Sequence, residues 1–305
     1  MGAGDSGVEA VRPSRLRRRA GLEPYVWIAP ALIVFCIFSL LPLLVGVWLS
    51  FVSWDGIGAI RPIGLQNYAD VLRDGRFRQA IAHNTVYALG TVVGKLGLGL
   101  LLAVLLNHPL FGRAVFRTAL FLPVVLSMVV VGLLWSWIYN WDFGLANSIL
   151  TDLGLGALKQ DWLGNPNLAL GALVVVDIWK YFGLHMMIYL AGLQSIPRDL
   201  YEAARIDGAG SRQLFLRITL PLLLPVTVIN LVLAMLGAFN VFDVVYVMTA
   251  GGPFMATNVA MVEIYQQAFQ YGHFGYAAAM SLVLFALVSM ISLIVLRVLR
   301  RERYF

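Results

Sequence analysis

Apolar residues in this chain neither alternate with polar ones nor recur as a single helical stripe. They come in long runs, over residues 26–52, 84–106, 115–139, 168–192, 219–241 and 276–298. Each run reaches the roughly 20 residues a helix needs to cross a bilayer. Strands of a membrane barrel would alternate apolar and polar positions, and these runs do not. The pattern predicts an all-α integral membrane protein with six transmembrane helices. The first run follows Arg15-Leu16-Arg17-Arg18-Arg19, a basic start shared with signal peptides. It is far longer than a signal core and no small-residue cleavage site follows it, so it is expected to remain as the first span. Residues 65–82 mix apolar and charged positions and are expected to form a helix lying at the interface.

Charge fixes the orientation. Fifteen basic residues precede span 1, occupy the 2–3 and 4–5 connections or close the chain, against five in the outer connections. That asymmetry puts both termini in the cytoplasm. It also explains the net charge of +6 without nucleic acid, because the basic residues flank membrane spans. Hydrophobic residues make up 60% of the chain and charged ones 12%, far from a soluble globular composition. The outer connections are too short for independent domains. The expected layout is a basic tail (1–24), a six-helix transmembrane domain (25–300) containing a cytoplasmic loop (193–221), and a short tail (301–305).

That loop carries the most information. Pro197 and Asp199 suit the first turn of a helix, Asp207-Gly208 stops it, and Ser211 can cap a second helix leading into span 5. The result is a helical elbow whose small residues, Ala203, Ala204 and Gly208, would let another protein's backbone approach. Glu202-Ala203-Ala204, three residues, Gly208, nine residues and Ile218-x-Leu220-Pro221 resemble the EAA motif of ABC-importer permeases at every fixed position. Gly64-Leu65-x-Asn67-Tyr68, Phe77 and Asn84-Thr85 are similar to the first outer loop and second helix of carbohydrate-uptake permeases. Phe242-Asp243-x-x-Tyr246-x-Met248-Thr249-x-Gly251-Gly252-Pro253 is similar to the segment after span 5 in the subunit corresponding to the larger maltose permease, which also occurs in glycerol-phosphate and trehalose systems. Residues 1–20 fall outside the resemblance.

The resemblance implies a type I ABC-importer permease fold in the plasma membrane, with a non-catalytic role. It implies that Glu202, Ala203, Ala204, Asp207 and Gly208 form a coupling helix that docks on an ATPase. It further implies a second permease, two ABC ATPases and an extracytoplasmic solute-binding protein as partners. ATP and Mg²⁺ would bind the ATPases, so no cofactor is expected on this chain.

Charged groups inside a span cost roughly 2.5–3.5 kcal/mol each on insertion scales, so each needs a reason. Asp177, Lys180, Tyr181 and His185 share one face of span 4. Two readings stand: an Asp177–Lys180 pair that neutralises itself and only packs, or a face lining the substrate path. The resemblance favours the path, since this stretch contributes to a midmembrane sugar site in maltose-type permeases. Phe239, Asn240, Phe242 and Asp243 at the end of span 5 could supply rings and hydrogen bonds from a second side, with Ser127 a weaker candidate in span 3. Lys95 either attracts an anionic substrate or pairs with a carboxylate on another helix.

Other chemistry finds little support. Gly90-x-x-x-Gly94-Lys95 has the wrong spacing for a phosphate loop and lacks the following Ser or Thr, so the glycines are read as a helix–helix contact. Cys36 is the lone cysteine, and the four histidines show no ligand spacing, so no disulfide or metal site is expected. A self-sufficient secondary transporter remains the alternative, although it would not need the elbow and would be expected to show a repeat or paired broken helices.

Overall fold

The computed structural model describes residues 23–301. The basic cluster Arg15–Arg19, most of the 1–24 tail and residues 302–305 of the C-terminal tail lie outside the described residues. In chain order the helices are α1 (Tyr25–Leu49), α2 (Gln66–Arg73), α3 (Gly75–Asn107), α4 (Arg113–Val125), α5 (Met128–Ile138), α6 (Leu145–Asp152), α7 (Ala169–Ser195), α8 (Arg198–Ile206), α9 (Ser211–Leu214), α10 (Leu220–Phe239), α11 (Asp243–Met248), α12 (Ala260–Tyr265) and α13 (Phe274–Arg301). A small hairpin pairs Val52–Ser53 with Arg61–Pro62.

Among the described residues five helical segments are long and apolar enough to cross a membrane. The pair α4–α5 makes a sixth if it counts as one span. Here the structure corrects the expectation of an unbroken third span, because the pair bends by 98° between Val125 and Met128. Pro123 supplies part of the reason, since its ring removes a backbone donor near the end of α4. The expected interfacial helix over 65–82 is also divided. Asp74 ends α2 and caps α3, accepting hydrogen bonds at Oδ1 from the amides of Arg76 (2.8 Å) and Phe77 (3.4 Å). Residues 75–82 therefore begin the long membrane helix. α2 is held by Asn67, whose Nδ2 donates to the carbonyls of Ser50 (2.9 Å) and Val52 (3.0 Å).

The centre of the bundle is the α3–α7 pair, with α10 packed on both. α3 presents Gly90, Gly94 and Gly99 to α7. A Cβ at Gly90 would stand 3.0 Å from Val174 Cγ1, one at Gly94 would collide with Ile178, and one at Gly99 would stand 3.0 Å from the amide of Met186. In hydrocarbon, where no hydrophobic effect draws helices together, such close backbone approach is a main source of association. α4 meets α7 through a similar contact, where a Cβ at Gly183 would strike the carbonyl of Leu120. α1 has no buried residue in its apolar stretch and packs on this chain mainly through its last turns against α13. Its rings and aliphatic chains face outward, as suits lipid or another membrane subunit.

The glycine seam yields a test. Gly94→Leu should lower the melting temperature in detergent by an amount equivalent to about 1–3 kcal/mol of overpacking. Gly97→Leu, at a position where an added Cβ would meet nothing within 4 Å, should be close to neutral. Equal melting temperatures for the two variants would remove the seam.

Candidate functional site: a midmembrane cavity and a cytoplasmic elbow

A cavity of about 300 Å³ opens where α7 faces the break after α10. Its wall includes Lys95 from α3, Asp177, Tyr181 and His185 from α7, Met128 from the start of α5, and Asn240, Phe242 and Asp243 from the break and α11. The local sequence explains the break. α10 ends at Phe239, Asn240 adopts a non-helical backbone, and the chain re-enters a helix at Asp243. Carbonyls left open there are met from outside the helix. Asn84 of α3, fully buried, donates through Nδ2 to the carbonyls of Ala238 (3.0 Å) and Phe239 (3.5 Å). Its Oδ1 accepts from the amide of Ala260 (3.0 Å), which ties the start of α12 to the same point.

The cavity floor is charged. Lys95 Nζ stands 2.6 Å from Asp177 Oδ1, and both side chains are almost wholly buried. The approach is that of an ion pair rather than an aligned hydrogen bond. Of the two readings of Lys95 it is the pairing with a carboxylate on another helix that the structure shows, and Asp177 pairs with Lys95 rather than with Lys180. Lys180 instead donates from Nζ to the carbonyls of Pro123 (3.3 Å), Val124 (3.1 Å) and Leu126 (2.5 Å). These carbonyls lie where α4 ends and the chain bends, and that of Pro123 also accepts from the amide of Leu126 (3.3 Å). A cation among them satisfies the acceptors and opposes the negative end of the helix dipole. Tyr181 lies between the two amines, with its ring centroid 5.5 Å from Lys95 Nζ and 4.9 Å from Lys180 Nζ.

His185 is oriented from α10: its Nδ1 lies 2.7 Å from Asn230 Oδ1, while Asn230 Nδ2 donates back to the His185 carbonyl at 3.2 Å. Of the residues predicted for the substrate path, Asp177, Tyr181, Asn240 and Asp243 come together on the cavity. Lys180 caps α4, Phe239 is packed in the core at 5% exposure, and Ser127 sits exposed at the corner of the bend. Asn84 and Asn230 support the site without having been predicted for it. Each is an amide inside an apolar helix, Asn84 also within the permease-like segment, and their partners lie far along the chain.

Above the cavity the rings of Phe242 and Tyr246 stack at 5.0 Å, and Tyr265 tilts against both at 5.3 and 5.0 Å. The chain of rings continues through Phe269 and Phe274 to Trp54 in the outer connection. A cavity offering aromatic surface, one carboxylate–ammonium pair, an imidazole and an amide can hold a polar solute by hydrogen bonds while apolar faces stack on it.

The second feature is the elbow. α8 ends in a Schellman turn: the amide of Gly208 donates to the Arg205 carbonyl (3.0 Å) and that of Ala209 to Ala204 (2.9 Å). Gly208 has φ +82°, a conformation that favours glycine. Ala203 and Asp207 are exposed, Ala204 is half-buried, and among the described residues nothing lies within 4 Å of a Cβ at Gly208. Glu202 turns with Arg198, Tyr201 and Arg205 toward a separate cavity behind the elbow. Tyr201 and Thr219 are joined through their hydroxyls at 3.0 Å, which ties α8 to the π-helical turn (Phe215–Thr219) entering α10. The same contact connects the elbow to the helix that ends at the midmembrane cavity.

Residues 95–304 match the model of the family described as binding-protein-dependent transport system inner membrane component. The chain is 39% identical to the probable ABC transporter permease protein YurN of Bacillus subtilis over 86% of its length and 90% of that protein. It is 38% identical to the trehalose/maltose transport system permease protein MalF of Thermococcus litoralis, covering 90% of this chain and 92% of that one. Its fold is similar to a chain in the crystal structure of a bacterial ABC transporter involved in import of the acidic polysaccharide alginate. The TM-score is 0.82 at 24% identity, over 95% of this chain and 100% of the other.

Asp177→Asn should strand Lys95 in the bundle and cost roughly 3–5 kcal/mol, the usual penalty for breaking a buried pair from one side. The double variant Lys95→Met/Asp177→Leu should recover most of that loss, as read by thermal unfolding in detergent. A double variant no more stable than Asp177→Asn would show that the two residues are not paired.

Proposed function

The chain belongs to the family of binding-protein-dependent transport system inner membrane components, the non-catalytic, multi-pass permease subunits of ABC importers, and on that premise we propose that the solute it passes is a carbohydrate. The observation that carries this reading is the cavity, which sets Tyr181 and Phe242 beside Asp177, His185 and Asn240. Rings that can lie on a sugar face, next to groups that exchange hydrogen bonds with hydroxyls, suit a polyol better than an amino acid or a metal ion. The likeness to a permease named for trehalose and maltose supports the same class.

In this reading a second permease completes the path, and an extracytoplasmic binding protein delivers the sugar. Two ABC ATPases bind ATP and Mg²⁺ beneath the membrane. Closure of an ATPase moves the elbow around Glu202, Ala203, Ala204, Asp207 and Gly208, and the Tyr201–Thr219 link carries that movement into α10. The end of α10, with Asn240 and Phe242, then shifts against Asp177 and Tyr181, which opens and closes the cavity.

The test is uptake by the complete importer in proteoliposomes. Transport of labelled trehalose or maltose is expected to need both ATP and the binding protein, and to survive collapse of ion gradients. Transport by this chain alone, driven by an ion gradient, would contradict the mechanism. Transport of only non-sugar solutes by the complete importer would contradict the substrate class. Within the same assay, Gly208→Asp should leave the protein inserted yet abolish coupled uptake. A side chain there strains the turn and occupies the surface offered to the ATPase. Normal uptake by that variant would take the coupling role away from the elbow.

A further inference from the structure

A second, larger cavity of about 910 Å³ lies behind the elbow, bounded by the end of α3, the start of α4, the end of α7, and helices α8 and α9. Its wall holds Arg113, Arg117, Arg198 and Arg205, with Glu202 as the one acidic residue. Among the described residues the one salt bridge is Lys95–Asp177, so none of these four guanidinium groups has a carboxylate at ion-pair distance. Arg117 donates from Nη2 to the Leu106 carbonyl (3.0 Å), while its Nε is buried without a partner. The N-terminus of α4 borders the same space, as do the C-termini of α3 and α7, so the positive charge here is that of the guanidinium groups. A void with this much uncompensated charge calls for an anion.

Its depth identifies the kind of anion. Apart from α8, the surrounding helices belong to membrane spans that end or begin here: α3 at Asn107, α4 at Arg113, α7 at Ser195, and the fifth span at Ser211. The cavity therefore sits at the headgroup level of the face that the charge asymmetry assigns to the cytoplasm. Just inside it, Leu101 and Leu105 project from α3 into the surroundings, and Leu110 and the fully exposed Phe111 form an apolar tip beside Arg113. Basic pockets between spans on the cytoplasmic side suit phospholipid headgroups. We propose that this cavity holds the phosphate of an anionic glycerophospholipid from the cytoplasmic leaflet, with the acyl chains lying along Leu101, Leu105 and the Leu110–Phe111 tip. The phosphate bridges Arg113 and Arg117 on α4 to Arg198 and Arg205 on α8. The lipid thereby braces the elbow against the bundle from the side opposite the ATPase.

The test uses the complete importer, purified from nanodiscs of phosphatidylcholine doped with phosphatidylglycerol, with retained lipid counted by native mass spectrometry. Wild type is expected to keep phosphatidylglycerol in preference to phosphatidylcholine. Arg113→Gln/Arg198→Gln, which removes one exposed cation from each wall, should weaken that retention roughly thirtyfold, the effect of two cations near an anionic headgroup. Co-purification of the ATPase shows that the variant has assembled, and Arg113→Lys/Arg198→Lys should restore retention. Arg61→Gln/Arg73→Gln makes the same charge change on the outer face and should leave it unaltered. Equal losses in the inner and outer variants would reduce the effect to net charge and overturn the site. Displacement of the lipid from wild type by inorganic phosphate would overturn the lipid assignment in favour of a free anion. Absence of retained phosphatidylglycerol in wild type would overturn it in favour of a cavity filled by a partner subunit.

Discussion

Lys95 and Asp177 meet in the part of the molecule where neither could stand alone. A single charge in hydrocarbon is costly, and a pair is tolerated only when the two helices that bring it are held at close range. The glycine seam of α3 provides that range. Gly90 and Gly94 precede Lys95 on α3, Val174 and Ile178 flank Asp177 on α7, and the missing side chains let the backbones approach until the amine reaches the carboxylate. The pair in turn fixes which face of α7 looks into the cavity. With Asp177 directed at α3, Lys180 three residues on is directed at α4, where it donates to the carbonyls of the bend. One electrostatic constraint thus sets the rotation of α7, the corner of α4–α5, and the position of Tyr181 between the two amines.

That arrangement divides polar groups into those that are satisfied and those left available. Asn84, Asn230 and Lys180 close the acceptors of broken or neighbouring helices, and they make the irregular backbone around the cavity tolerable in a membrane. Tyr181, Asn240 and Asp243 face open space. A helix that must break beside a cavity is also one that can move there. α8 is tied to α10 through a hydroxyl pair and a π turn.

The spans, the elbow and the face shared by Asp177, Tyr181 and His185 could be read from the chain because each is a local pattern. Hydropathy over one helix, a cap, a stop and a three- or four-residue spacing need no knowledge of the neighbours. Pairings between helices were not legible. Asp177 has Lys180 one turn away and Lys95 on a different span, and nothing in the sequence says which way a lysine's long side chain turns. Phe239 and Phe242 look equivalent in the sequence, yet the break at Asn240 rotates one into the core and the other to the cavity. Pro123 is the visible sign of the bend. A proline in a membrane helix more often kinks it mildly than turns it through a right angle, and the carbonyls to which Lys180 donates could not be foreseen.

The central claim is that the midmembrane cavity is the solute path and that the ATPases open it outward. The one native cysteine, Cys36, can be replaced, and Asn240→Cys then places a reporter on the cavity wall. Its reaction with a membrane-impermeant thiol reagent added from outside should be followed in the complete importer. The account predicts slow labelling in the resting state, fast labelling when a non-hydrolysable ATP analogue is bound, and protection by the transported sugar. Labelling that ignores both nucleotide and sugar would contradict it.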